Sequence, residues 1–226
     1  MPLNQENQTS ALFNKLSNHY GKQNWWPATT KFEMAIGAIL TQSTNWNNAN
    51  KALANLADND LLSPTHLHQI SRDRLSQIIR PSGYYTIKAS RIKALASHVY
   101  SSYQDDFESY LRQPKEALRE DLLSIKGIGK ETADAIILYG AEEAMFIVDE
   151  YTKRLFSRLG HGPLNKVYDE WQDFFHSTVP KITSVYSEYH AIIVAHCKAL
   201  CKKTPACHTC FLINECKTGK ETLTSC

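Results

Sequence analysis

Glycine and proline are scarce, nine and eight residues in 226, which excludes a collagen-like repeat and low-complexity disorder. No apolar run approaches the ~20 residues a membrane helix requires, so no membrane partner is expected. The opening residues, MPLNQENQTSALFNKL, lack a cationic start followed by an apolar stretch, and no secretory signal is read there. Excess charge is also missing. Twenty-five basic residues face 23 acidic ones, net +2, so a uniformly basic surface is excluded and any basic face must be local. Period-two alternation is nowhere sustained, which argues against a half-buried sheet. With 42% hydrophobic residues, the chain is expected to be an intracellular globular protein, long enough for one large domain or two intimate lobes.

What is present is helical periodicity. Phe32, Ala35, Ile36, Ile39 and Leu40 share one face of a stretch over residues 31–57, with a break near Ser43–Asn45 and a second helix over 47–57. Asp73 is placed to cap a short helix that stops before Pro81. Residues 86–102 repeat the apolar spacing through Ile87, Ile92, Leu95, Ala96 and Val99. Further helices are expected over 105–112, 114–124, 130–142, 149–159, 166–178 and 182–199, which makes the chain all-α.

Three local patterns carry chemistry. In Leu122–Ile136 one apolar helix ends, Gly127 and Gly129 flank Ile128, and another helix begins at once. Glycines there permit positive φ and close backbone approach, and the next helix offers unpaired N–H groups suited to a phosphate oxygen. The same pattern serves as a plain turn between helices, with Ile128 as its plug; it is not a Walker loop, because the GxxxxGK[ST] spacing is absent. Trp25-Trp26-Pro27 and Gln42-Ser43-Thr44-Asn45-Trp46 form an aromatic-rich region, either core packing or a stacking surface. Five of the six cysteines lie between Cys197 and Cys216, and in a reducing compartment such a cluster points to a metal. Cys201-x5-Cys207-x2-Cys210-x5-Cys216 supplies four thiolates, suited to zinc or a [4Fe–4S] cluster, and leaves Cys197 and Cys226 free; starting at Cys197 instead would make the first loop x9.

The glycine hairpin, the following Phe146-Ile147-Val148-Asp149 and the cysteine spacing together resemble the endonuclease III superfamily of helix-hairpin-helix DNA glycosylases. Asp149 lies eighteen positions after Glu131, the family offset between its lyase-lysine position and its aspartate. The WWP, LTQST and RPSGYY strings are similar to the 3-methyladenine DNA glycosylase branch. The resemblance implies an all-α, two-lobed helix-hairpin-helix fold with a C-terminal iron–sulfur loop. One lobe spans 24–141; the other joins 1–23 to 142–226.

The same resemblance implies base excision on double-stranded DNA carrying a damaged base, an alkylated purine, by a monomer in the cytoplasm of a bacterium, associated with the nucleoid. Asp149 is then the catalytic carboxylate, stabilising an oxocarbenium-like sugar and activating water. Lys126, Gly127, Gly129 and Lys130 hold backbone phosphate, with Lys202 and Lys203 as further DNA contacts. Trp25, Trp26 and Trp46 stack the extruded base, where a cationic purine gains from indole faces. Gln42 fills the gap in the duplex. Cys201, Cys207, Cys210 and Cys216 hold a [4Fe–4S] cluster, with zinc as the alternative. Glu131 stands where bifunctional members carry a lysine, so Schiff-base strand cleavage is not expected. The competing readings are a glycosylase for oxidised or deaminated pyrimidines and a non-catalytic binder of damaged DNA.

Overall fold

The computed structural model describes residues 5–163 and 167–224. Among these residues every regular element is helical and no strand forms. The chain divides into two compact units, Met1–Trp25 with Ala144–Cys226, and Trp26–Glu143, so the boundary falls between the two adjacent tryptophans. No described helix is long and apolar enough to cross a membrane.

In the Trp26–Glu143 unit, helix Lys31–Leu40 is the buried centre, with Phe32, Met34 and every residue from Ala35 to Leu40 enclosed. It is apolar nearly all round because other helices surround it. Thr30 caps it by accepting the Glu33 N–H, and the Glu33 carboxylate accepts the Thr29 N–H at 2.8 Å. Helix Trp46–Ala57 follows, capped by Asn45. The cap of helix Arg72–Ile78 differs from expectation. Ser71, whose backbone is extended immediately before the helix, accepts the Arg74 N–H; Asp73 lies inside the first turn of Arg72–Ile78. Pro81 sits at the start of a 3-10 turn, Arg80–Ser82, where its missing N–H costs nothing. The expected 130–142 helix is Lys130–Ala135 continued by a π-turn, Ile136–Gly140. Helices Gln5–Tyr20, Pro64–Gln69 and Lys217–Thr224 had no counterpart in the sequence expectations.

The other unit is built around aromatic rings. Phe146 stacks on Phe175 with centroids 3.9 Å apart, and Tyr186 and Phe156 close on this pair edge-on. Met145–Val148 runs through the core without helical bonds, although all four residues are buried. Such backbone needs other partners. Helix Tyr168–Thr178 supplies them from one face. The His176 Nε2 accepts the Phe146 N–H at 3.2 Å, Gln172 donates to the Phe146 carbonyl at 2.8 Å, and the Tyr168 hydroxyl accepts the Val148 N–H at 3.4 Å. Residues four apart on a helix stack one above another, so 168, 172 and 176 form a ladder along the buried segment. That ladder delivers the chain, rigidly held, to Asp149.

Candidate functional site

Asp149 is the N-cap of helix Glu150–Leu159 and is only 8% exposed. Its Oδ1 accepts the Thr152 N–H at 2.7 Å, while Oδ2 lies 3.5 Å from Nε2 of the buried His190. Burial pushes its pKa up, but His190 and the Thr152 N–H together outweigh that and leave it below the ordinary carboxylate value. A buried, ionised carboxylate thus stands at a helix start. Capping alone gives it a structural role, worth about 1 kcal/mol.

In the other unit, the hairpin joins helix Lys115–Ser124 to helix Lys130–Ala135. Gly127 has φ +95°, and a Cβ there would collide with the Arg91 side chain, so the position requires glycine twice over. Ile128 is buried, and its N–H reaches the Ile125 carbonyl at 3.0 Å. Gly129 is the N-cap of the second helix and has no side chain to cap it. Lys126, Gly127 and Gly129 are exposed; Lys130 is half-buried. A part-buried ion pair braces the two helices, Arg119 Nε to the buried Asp134 Oδ1 at 2.7 Å. Gln42 is folded onto this hairpin. It donates to Thr132 Oγ1 at 2.9 Å and to the Gly127 carbonyl at 3.4 Å, and accepts from Arg91. To enter a duplex, the side chain must give up these bonds.

The two adjacent tryptophans part company. Trp26 packs edge-on against Trp46 at 5.4 Å and lies 5.4 Å from the Tyr139 ring; Gly37 leaves room for it. Trp25 belongs to the unit that holds Asp149, with its ring 5.8 Å from His190 and the Lys198 ammonium 5.7 Å from its centroid. All three tryptophans are half-buried.

Cys201, Cys207, Cys210 and Cys216 line one cavity together with Arg158 and His196. Arg158 donates to Cys201 Sγ at 3.3 Å and to the carbonyls of Lys202 and Lys203, and Arg154 Nε donates to the Cys201 carbonyl at 2.8 Å. A Cys197 hydrogen bond and Arg158 favour the Cys201 thiolate against the cost of burial. Burial and the neighbouring sulfurs raise Cys210 and Cys216, the behaviour of thiols gathered around one space. Cys197 is absent from the lining and donates to the Tyr151 carbonyl at 3.4 Å; Cys226 lies outside the described residues. Among the described residues, no three His, Cys, Asp or Glu side chains converge closely enough for one metal ion. Lys202 and Lys203 are exposed on the loop that Arg158 holds.

Comparison with known proteins gives this geometry a family. Residues 36–181 match the model of the HhH-GPD superfamily base excision DNA repair proteins, a span that takes in Gln42, the hairpin and Asp149. The chain belongs to that superfamily. The provisionally named DNA repair glycosylase MJ1434 of Methanocaldococcus jannaschii is 44% identical over 201 residues, covering 88% of this chain and 91% of that one. Endonuclease III of Thermotoga maritima is 26% identical over 190 residues, 84% of each chain. Among solved structures, the 3-methyladenine DNA glycosylase MagIII of H. pylori bound to 1,N6-ethenoadenine matches with a TM-score of 0.75 and 31% identity, over 87% of this chain and 98% of that one. A non-covalent endonuclease III–DNA complex matches with a TM-score of 0.85 at 21% identity, over 98% of this chain and 100% of that one, a likeness of fold.

Several site features of this HhH-GPD protein escape the sequence patterns. His190 sits mid-helix with no motif around it. Arg91 is an ordinary helix residue until Gln42 and Gly127 are placed against it. Lys88, almost fully buried, donates to the carbonyls of Leu40 at 2.9 Å and Ser82 at 2.6 Å, tying the end of the central helix to the Arg80–Ser82 turn. Burial, with Arg91 nearby, brings its pKa down to about 8. Charged side chains alternating with apolar ones in IKASRIKA signal an amphipathic helix, not a buried ammonium.

Proposed function

We propose that this chain is a DNA glycosylase that hydrolyses the N-glycosidic bond of a damaged, alkylated purine in duplex DNA, leaving an abasic site without cutting the strand. The observation that carries the proposal is Asp149, an ionised carboxylate kept in a buried place. As the bond to the base lengthens, positive charge gathers on the sugar, and a fixed negative charge beside the sugar stabilises that transition state more than the ground state, in which the sugar is neutral. The same carboxylate can orient a water and accept its proton as the new C–O bond forms. A purine already made cationic by alkylation leaves as a neutral base, so no separate general acid is required. Glu131, in place of an amine, supports hydrolysis over Schiff-base chemistry.

The uncapped Gly129 and the neighbouring Lys126 and Lys130 serve the phosphate backbone, with Lys202 and Lys203 as further contacts that add affinity without sequence information. Trp26 and Trp46, beside Tyr139, supply faces for the extruded base; Trp25, already beside the Lys198 ammonium, would meet a cationic purine with a like charge. Cys201, Cys207, Cys210 and Cys216 would hold a [4Fe–4S] cluster. The support is that the four sulfurs line one cavity, a donor set that suits the four irons of a cubane. Arg154 and Arg158, which already hold the Cys201–Lys203 segment, would anchor the loop around such a cluster, whose contribution would be to brace the C-terminal segment.

A panel of duplexes, each with one methylated, deaminated or oxidised base, tests the proposal. Release is expected from methylated purines; release confined to oxidised or deaminated pyrimidines would replace it. Iron analysis of anaerobically purified protein tests the cluster, with about four irons per chain expected and a single zinc contradicting it.

A further inference from the structure

We infer that His190 is the positioning residue of the Asp149 carboxylate, and that Trp25 is the lid that fixes His190. The inference rests on the glycosylase reading above and gives Trp25 a task other than stacking the base. A carboxylate held by one oxygen can still turn about its last bond. Thr152 N–H holds Oδ1 of Asp149; Oδ2 faces His190 Nε2 at 3.5 Å, and the two helices that carry these groups, Glu150–Leu159 and Thr183–Ala199, pack on each other. With both oxygens engaged, the carboxylate has one orientation. The contact is long for a hydrogen bond, and such contacts tighten when substrate binds.

His190 is itself 5% exposed and has the edge of Trp25 against it. Residues 23–25 are fastened to the same helix at three points. Glu188 Oε1 accepts the Gln23 N–H at 2.6 Å, Ser187 Oγ donates to the Trp25 carbonyl at 3.5 Å, and the Lys198 ammonium rests against the indole. These contacts, spaced along helix Thr183–Ala199 from 187 to 198, press Trp25 onto the imidazole. A ring so enclosed keeps its tautomer and orientation, as a histidine that serves a carboxylate must. Among the described residues, His190, Lys198 and Cys197 bear on Asp149, all three from this helix. Of these, only His190 makes a polar contact with the carboxylate.

Two variants separate the donor from the ring. H190F keeps an aromatic ring of similar size and removes the donor; H190Q keeps a donor and removes the ring. In single-turnover release from a methylated-purine duplex at saturating protein, H190F is expected to be about tenfold to a hundredfold slower than wild type, with the Kd for that duplex unchanged. H190Q is expected to recover most of the rate. Carbon NMR of the Asp149 carboxyl in the protein without DNA provides a readout independent of activity. Its pKa should move up in H190F, toward or above the ordinary value, and stay near the wild-type value in H190Q. An unchanged Asp149 pKa in H190F, or a rate defect equal in both variants, overturns the inference. If wild-type protein releases no base from any duplex, the glycosylase reading fails, while the NMR titration still decides whether His190 sets the state of Asp149.

Discussion

Two helix starts in this molecule have almost the same backbone and opposite chemistry. Asp149 has φ −97° and ψ 178°; Gly129 has φ −96° and ψ 177°. Both are N-caps, and each leads into a helix whose first N–H groups need partners. At Asp149 the partner is supplied from within, so the dipole end is filled by a buried carboxylate and a negative charge is kept there. At Gly129 no side chain reaches back, the position is exposed, and the same end is left for an anion from outside. One cap residue decides whether a helix start presents an anion or receives one. In the function proposed above, the first serves the chemistry and the second the grip on DNA.

Four changes break or sharpen that contrast. The largest effect is expected from D149N, which keeps a cap but loses the charge. Single-turnover base release should fall by about 10²–10³ while the Kd for lesion DNA is unchanged. G129D makes the hairpin cap like the other one. Its backbone angles suit any residue and nothing lies within 4 Å of a Cβ there, so the variant should fold and gain about 1 kcal/mol in thermal stability. Its affinity for duplex DNA should drop, by about tenfold, as one phosphate site becomes acidic, and the salt dependence of binding should become shallower. Unchanged affinity would detach the hairpin from phosphate binding.

G127A tests the turn that sets the second cap in place. Holding an L-residue at φ +95° costs about 1–2 kcal/mol before the clash with Arg91 is counted, and a lowered Tm measures it. The smallest effect concerns acid. Because the Asp149 carboxyl titrates below its ordinary value when folded, its stabilising contribution is complete above about pH 4 and is lost as pH falls through the folded value. Denaturation of D149N between pH 5 and 2 should therefore show a shallower loss of stability than wild type.

What could be read in advance was local. An apolar FIV followed by Asp and a helix, and a Gly-Ile-Gly between two helices, specify their own backbone within a few residues, and both were placed where the structure has them. Nothing in the WWP string announces that the boundary between the units runs between Trp25 and Trp26. The contributions of His190, Arg91 and Lys88 depend on partners far along the chain. His190 meets Asp149 only after two helices pack, and Lys88 finds carbonyls at Leu40 and Ser82 only once the central helix is enclosed. Nothing in the residues around them records those meetings. The Asp73 cap went to Ser71 for the converse reason: two polar residues competed for one role, and the extended backbone selected the earlier.

The central claim is hydrolysis at Asp149 without help from an amine, and one time course tests it. Wild-type protein at saturation is mixed with a methylated-purine duplex labelled on the lesion strand, with borohydride present in half of the samples. The expected result is free base, a strand that stays whole until alkali is added, and no covalent protein–DNA adduct. A borohydride-trapped adduct that maps to a lysine, with strand scission at the rate of base release, would contradict it.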